Sequence, residues 1–162
     1  ILAAWLIRDW ARPAVVAVLA VAAISPALIG IWHATHPGLA LTLPQEAAGR
    51  WIERNVPDRA VFVTDAFINS PVDIAGRLRL TTFGPYVANL GYNPTERERD
   101  TKVIYCDGPD VAAALMARHG AGYVLSSGSL LTCDDGLPTD FQTSPRFETV
   151  YDQDGVAVFR LR

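Results

Sequence analysis

Gly108 to Ser127, GPDVAAALMARHGAGYVLSS, sets a helical period directly against a strand with no linker between them. After the Gly108-Pro109-Asp110 break, Val111, Leu115 and Arg118 or His119 mark successive turns of an amphipathic helix, and Gly120 stops it. Ala121 to Ser127 is an apolar run ending in polar residues, the pattern of a strand. A helix feeding straight into such a strand has the βαβ pattern of an α/β domain. His119, alone at the helix end, is read as a charge that complements the helix C-terminus.

The same alternation runs upstream. Pro44 opens the helical segment PQEAAGRWIERN, with Ala47, Trp51 and Ile52 on one face. Val56-Pro57-Asp58 ends it, because a residue before proline avoids the helical region. Ala60 to Asp65, AVFVTD, predicts a short buried strand with Asp65 at its C-terminal end. Ala66 to Asp73, which holds Asn69, Ser70 and Pro71, reads as a loop. A second strand follows at Arg77-Leu78-Arg79-Leu80, whose alternation puts both arginines on one face. Gly84-Pro85 and Gly91-Tyr92-Asn93-Pro94 then break the chain, leaving Tyr86 to Leu90 room for one or two helical turns. Thr95 is the expected N-cap of TERERDTKVIYC, with Glu96 and Glu98 in its acidic first turn and Arg99, Val103 and Cys106 along one side. Glu98 and Lys102, four apart, add about 0.3 to 0.5 kcal/mol of helix support.

Downstream, Gly128 to Pro145 is an irregular loop whose aspartates match no calcium-binding spacing. Phe147 to Tyr151 and Val156 to Leu161 flank Asp152-Gln153-Asp154-Gly155, and Asp-Gly between alternating apolar runs is a hairpin signal. The expected fold class is therefore α/β, a mixed sheet of about five strands with flanking helices and a C-terminal hairpin.

The chain of 162 residues is uneven in charge. Ile1 to Trp32 carries only Arg8, Asp9 and Arg12, whereas His33 to Arg162 holds 12 Lys and Arg against 16 Asp and Glu, a formal −4. That balance argues against a nucleic-acid partner. Pro13 to Trp32 is 20 residues without a charge, enough at about 1.5 Å per residue to cross a hydrocarbon core of about 30 Å. We read it as a transmembrane helix, since buried soluble runs and signal-peptide cores are shorter. Ile1 to Ile7 reads as the end of an earlier membrane helix. The loop Arg8-Asp9-Trp10-Ala11-Arg12 carries two arginines, and no Lys or Arg follows until Arg50, which places the loop in the cytoplasm and the rest outside. The expected division is residues 1–12 as helix end and loop, 13–32 as membrane helix, 33–43 as linker and 44–162 as an extracytoplasmic α/β domain. Multi-pass location in the cell membrane, with the lipid bilayer as a partner, follows from that division. Cys106 and Cys133 suit an oxidising compartment, and a bridge or two free thiols are both compatible with their spacing.

Chemistry concentrates in Ala75 to Gly108, where Arg77, Arg79, Arg97, Arg99 and Lys102 interleave with Phe83, Tyr86, Tyr92 and Tyr105. Capping and i, i+4 pairing absorb part of that charge, leaving Arg77, Arg79 and Arg97 as candidate substrate-binding residues beside Tyr86 and Tyr92. Guanidinium forks match phosphate oxygens, although Arg77 and Arg79 could equally cover an exposed sheet face by pairing with acids of the next helix. Asp65, beyond a strand end, could hold a sugar hydroxyl or a cation, or simply cap the next turn. No phosphate-binding glycine loop, nucleophile elbow, metal-ligand cluster or Cys/His pair occurs, so no catalytic residue, metal or cofactor is assigned.

Trp51 to Asn55 with Val56-Pro57, the strand to Asp65, Ala75-Gly76-Arg77, Gly91-Tyr92, Glu96-Arg97-Glu98 with Asp100, Ile104-Tyr105 and Tyr123-Val124 form a recognisable series. In order and spacing it resembles the C-terminal extracytoplasmic region of bacterial GT-C-type multi-spanning glycosyltransferases, relatives of the dolichyl-phosphate-mannose protein mannosyltransferases. The resemblance covers about half the chain. It implies transfer of a sugar from a polyprenyl-phosphate donor to a saccharide or protein acceptor on the outer face of the membrane. In such enzymes the catalytic acid lies in an early extracytoplasmic loop, so this domain would act as a lid or acceptor-binding element without catalysing alone. Thr82-Phe83-Gly84-Pro85-Tyr86 departs from the Gly-Tyr-Pro-Gly-Trp-like turn of those relatives, and acceptor identity is not carried over. The competing expectation is a non-enzymatic outer domain that binds carbohydrate or protein for a membrane transport or assembly system.

Overall fold

In this computed structural model the described residues are 24–25, 31, 41–65, 69–127, 133 and 138–162. All of the predicted membrane helix except residues 24–25 and 31, the cytoplasmic loop before it and most of the linker lie outside them. No helix among the described residues is long and apolar enough to cross a membrane. The chain divides into two units, Ile1–Ala40 and Leu41–Arg162, and the second is the α/β domain described below.

Thr42 starts the domain with a capping box: its hydroxyl accepts from the Gln45 N–H, and the Gln45 side chain accepts from the Thr42 N–H. Helix α1 (Leu43–Asn55) then runs with Pro in its first turn. Its buried face is Ala48, Gly49 and Ile52 with Trp51 half-buried, whereas Ala47 is exposed. The expected face was thus rotated by one position, because Gly49 rather than Ala47 seats the helix against its neighbour. A methyl group at Gly49 would stand 2.9 Å from the Pro71 carbonyl oxygen. Strand β1 (Val61–Val63) follows.

Pro71–Ile74 forms a single helical turn, α2, in the stretch expected to be a loop. Ser70 and Asp73 make a second capping box there, a Ser-x-x-Asp signal masked by the proline and polar residues around it. Strand β2 (Leu78–Arg79) is short, and α3 (Gly84–Asn89) fills the space between the two glycine-proline breaks. Helix α4 (Thr95–Cys106) has Pro94 rather than Thr95 as its N-cap, because the Asn93 side chain accepts the Thr95 N–H from outside the helix. Its buried face is Asp100, Thr101, Ile104 and Tyr105, not the expected line through Arg99, Val103 and Cys106. Packing against α5 (Pro109–His119) turned the helix so that Asp100 meets the end of that neighbour. Gly120 caps α5 at φ 65°, a left-handed conformation that suits glycine.

Strand β3 (Tyr123–Ser126) and the hairpin β4 (Phe147–Gln153) and β5 (Val156–Leu161) complete a five-stranded mixed sheet of order β2-β1-β3-β5-β4. β1 lies parallel to both β2 and β3, with Phe62 opposite Arg79 on one side and Tyr123 on the other. β5 is antiparallel to β3 and β4. The hairpin turn is Asp154-Gly155, both at positive φ (50° and 78°), which matches the twist of the strands it joins.

Alternation sends the strands' side chains to two apolar layers. On one face Val63, Val124 and Phe159 pack under Ile104, Tyr105 and Met116 of α4 and α5, with Phe141 and Phe147. On the other, Phe62, Leu125 and Val158 meet Ile52, Val56 and Val72 from α1 and its surroundings. The expected fold class, a mixed five-stranded sheet with flanking helices and a C-terminal hairpin, matches this architecture. Cys106 and Cys133 are joined by a disulfide with Cα atoms 5.5 Å apart. Closing a separation of 27 residues is worth about 3 kcal/mol on the chain-entropy model.

Candidate functional site

The carboxyl ends of β1 and β2 are tied together by Arg79, whose side chain is only 4 % exposed. Its Nε donates to Thr64 Oγ1 at 2.8 Å, Nη1 to Asp73 Oδ2 at 2.9 Å and Nη2 to the Asp65 carbonyl at 2.7 Å. One planar fork therefore joins β2, α2 and the end of β1, a geometry that an ammonium group does not reproduce. Thr64 passes the chain on by donating to the Asp65 carbonyl at 3.0 Å.

Beside this clamp lies a cleft of about 430 Å³, lined by Arg79, Leu80, Thr81, Thr82, Val87, Tyr92, Asn93, Pro94 and Arg97. Its walls are the chain leaving β2, α3, and the turn that starts α4. The floor is set by Leu80, whose N–H bonds to Phe62. The outer wall carries Tyr92, 71 % exposed, and the exposed Arg97. Helix α3 approaches α4 so closely at Gly84 that a methyl group there would collide with the Glu98 carboxylate.

Of the six residues expected to bind substrate, the cleft brings together Arg79, Tyr92 and Arg97. Arg77 sits elsewhere. Its guanidinium donates to the carbonyls of Glu53, Val56 and Ala75 and pairs with Asp58 at 3.1 Å, so it caps the C-terminal end of α1. Tyr86 projects from α3, 55 % exposed, with its ring edge-to-face against Phe83. Asp65 stands beyond β1 as expected, half-buried, with its backbone carbonyl on Arg79 and its charge near Tyr105. Both strand arginines thus face acids, Asp58 and Asp73, that precede β2 rather than acids of the next helix.

Two polar arrangements support the site's walls. The Tyr105 hydroxyl lies 2.6 Å from the Leu125 carbonyl and 3.2 Å from that of Val63, bridging β3 and β1. Burial pushes that hydroxyl far above its ordinary value, and the Asp65 charge adds to the effect, so it stays protonated as a donor. Asp100, nearly sealed, accepts from His119 Nε2 at 2.8 Å, with Arg99 and Arg118 also near its oxygens. The His119 hydrogen bond holds the Asp100 carboxyl below its ordinary value, against burial, which acts the other way. His119 does lie at the helix end as expected, but its partner is a side chain of α4.

Sequence reading did not single out Thr81, Thr82, Val87, Asn93 or Pro94 as lining residues. They carry no motif, and only the return of the chain between α3 and α4 assembles them. The Asn-Pro break at the foot of α4 was a visible signal that the chain turns there.

No protein-family model matches this chain, and no curated protein does. Among solved structures it is similar to the C-terminal globular domain of an oligosaccharyltransferase from Archaeoglobus fulgidus, with a TM-score of 0.50 and 12 % identity over 76 % of this chain and 99 % of that one. At that identity the likeness is one of fold alone, extending over nearly the whole of the archaeal domain.

Proposed function

We propose that residues 44–162 form the extracytoplasmic C-terminal domain of a multi-spanning membrane glycosyltransferase. The transferase moves a sugar from a polyprenyl-phosphate donor to an external saccharide or protein acceptor. In this reading the cleft beside β2 holds part of a substrate, and the reacting carboxylate lies in another part of the protein. The observation that carries the reading is the fold shared with an oligosaccharyltransferase domain, together with a cleft that gathers Arg79, Tyr92 and Arg97. The Cys106–Cys133 disulfide supports an oxidising compartment, and the uncharged run Pro13 to Trp32 would tether the domain to a bilayer.

The test is Arg97→Ala in the full-length protein, with sugar transfer measured in membrane vesicles and abundance checked in parallel. Arg97 is exposed and, among the described residues, takes part in none of the hydrogen bonds or ion pairs that hold the domain, so its loss should reduce transfer while leaving the fold intact. Arg77→Ala is not an equivalent probe, because removing that cap from α1 destabilises the domain itself. Unchanged transfer in both Arg97→Ala and Tyr92→Ala would overturn the assignment of the cleft as a substrate site.

A further inference from the structure

We infer that the cleft beside β2 takes an uncharged saccharide unit rather than a phosphate group, an inference that rests on the cleft being a substrate site of a sugar transferase. Charge decides first. Phosphate recognition calls for a guanidinium fork or several cationic donors aimed at one anion. Arg79, which lines the cleft, already has its three nitrogens on Thr64, Asp73 and Asp65, and the Asp73 carboxylate at 2.9 Å neutralises it. Arg97 is then the one lining cation not already held by a carboxylate among the described residues. Near it Glu96 is taken by Arg118 at 2.6 Å and Glu98 faces Gly84, so the surroundings carry acid as well as base. From Leu80 to Thr95 the chain holds no charge at all.

The lining matches a sugar in other respects. A pyranose presents an apolar C–H face and a rim of hydroxyls, each both donor and acceptor. Tyr92 offers a broad, accessible ring at the mouth, while Leu80 and Val87 make part of the wall apolar. Asn93 spends its oxygen on the Thr95 N–H, which leaves its amide group to donate. Arg97 adds a planar donor fork, and Thr82 lines the wall made by the chain leaving β2, where the buried Thr81 turns its hydroxyl to the Thr82 carbonyl. The volume of about 430 Å³ lies toward the low end of small-molecule sites, in keeping with a short saccharide.

The experiment uses the full chain in phosphatidylcholine nanodiscs, free of sugar detergents, and saturation-transfer difference NMR. Its probes are methyl α-mannopyranoside, maltose and N,N′-diacetylchitobiose, with sodium pyrophosphate as competitor. Transfer to the ring protons of at least one saccharide is expected. It should persist with pyrophosphate present, survive Tyr92→Phe, weaken in Arg97→Gln and vanish in Tyr92→Ala. Both residues are exposed, so these variants should keep the parent far-UV circular dichroism. Absence of transfer to all three saccharides, transfer that survives Tyr92→Ala, or displacement by pyrophosphate overturns the inference. Binding is read without turnover, so a failure here leaves Arg97-dependent sugar transfer standing as a separate result.

Discussion

Arg79→Ala should destabilise the domain by about 3 to 5 kcal/mol, and the structure supplies the terms. The bonds to Thr64 Oγ1 and the Asp65 carbonyl, at 2.8 and 2.7 Å, are partly buried, and each is worth about 1 to 1.5 kcal/mol. The Asp73 pair contributes less than about 1 kcal/mol, because the Asp73 side chain is 45 % exposed and water screens it. The buried aliphatic stem adds roughly 1 kcal/mol of packing. Arg79→Lys should recover about half of the loss, since an ammonium cannot reach three acceptors in one plane. Thermal unfolding of the full chain in nanodiscs, followed by near-UV circular dichroism, measures it. For a domain of this size the expected fall in Tm is about 10 to 20 °C for Ala. An Arg79→Ala protein that melts within about 0.5 kcal/mol of the parent would refute the clamp. Arg79 would then be free to serve a ligand instead.

Three further outcomes follow from other parts of the fold. Gly49→Ala gains about 1 kcal/mol of helix propensity but must push α1 off the Pro71 carbonyl, an overpacking cost of about 1 to 3 kcal/mol, so urea unfolding should show net loss rather than gain. Cys133→Ser, or reduction of the parent, should lower stability by about 3 kcal/mol, and an unchanged melting curve under reducing conditions would mean that the bridge constrains nothing. Asp100 contributes its pairing energy in full above its ordinary value of 3.8, and that energy is lost as pH falls through its lowered folded value. Stability of the parent should therefore drop below about pH 4 more steeply than that of Asp100→Asn; identical acid limbs would count against the His119 pair.

The strands and the two long helices of the βαβ part were legible because burial leaves a period in the chain. Ala60 to Asp65, Ala121 to Ser127 and the Asp-Gly hairpin all stand where their residue patterns put them. Capping signals were less secure. Thr42 with Gln45 marked the true start of α1, one residue before the proline that first drew notice, and Ser70 with Asp73 hid a helical turn inside a polar stretch. Helix faces were harder still. A helix of mixed composition such as α4 offers several stripes, and contact with α5 selected the one through Asp100 and Ile104.

By itself, then, the sequence determined an α/β domain with a mixed sheet and a closing hairpin. It also marked Ala75 to Gly108 as the region where cations and aromatics gather. These are properties of spacing along the chain. The division of labour among those cations was decided only by the tertiary structure. Arg77 and Arg79 look alike in the strand Arg77-Leu78-Arg79-Leu80, yet one caps α1 and the other clamps β1 to β2, while Arg97 reaches the open wall of the cleft. A guanidinium's role depends on which acceptors the folded chain brings within about 3 Å of it, and those acceptors are carbonyls, carboxylates and a hydroxyl up to 24 residues away.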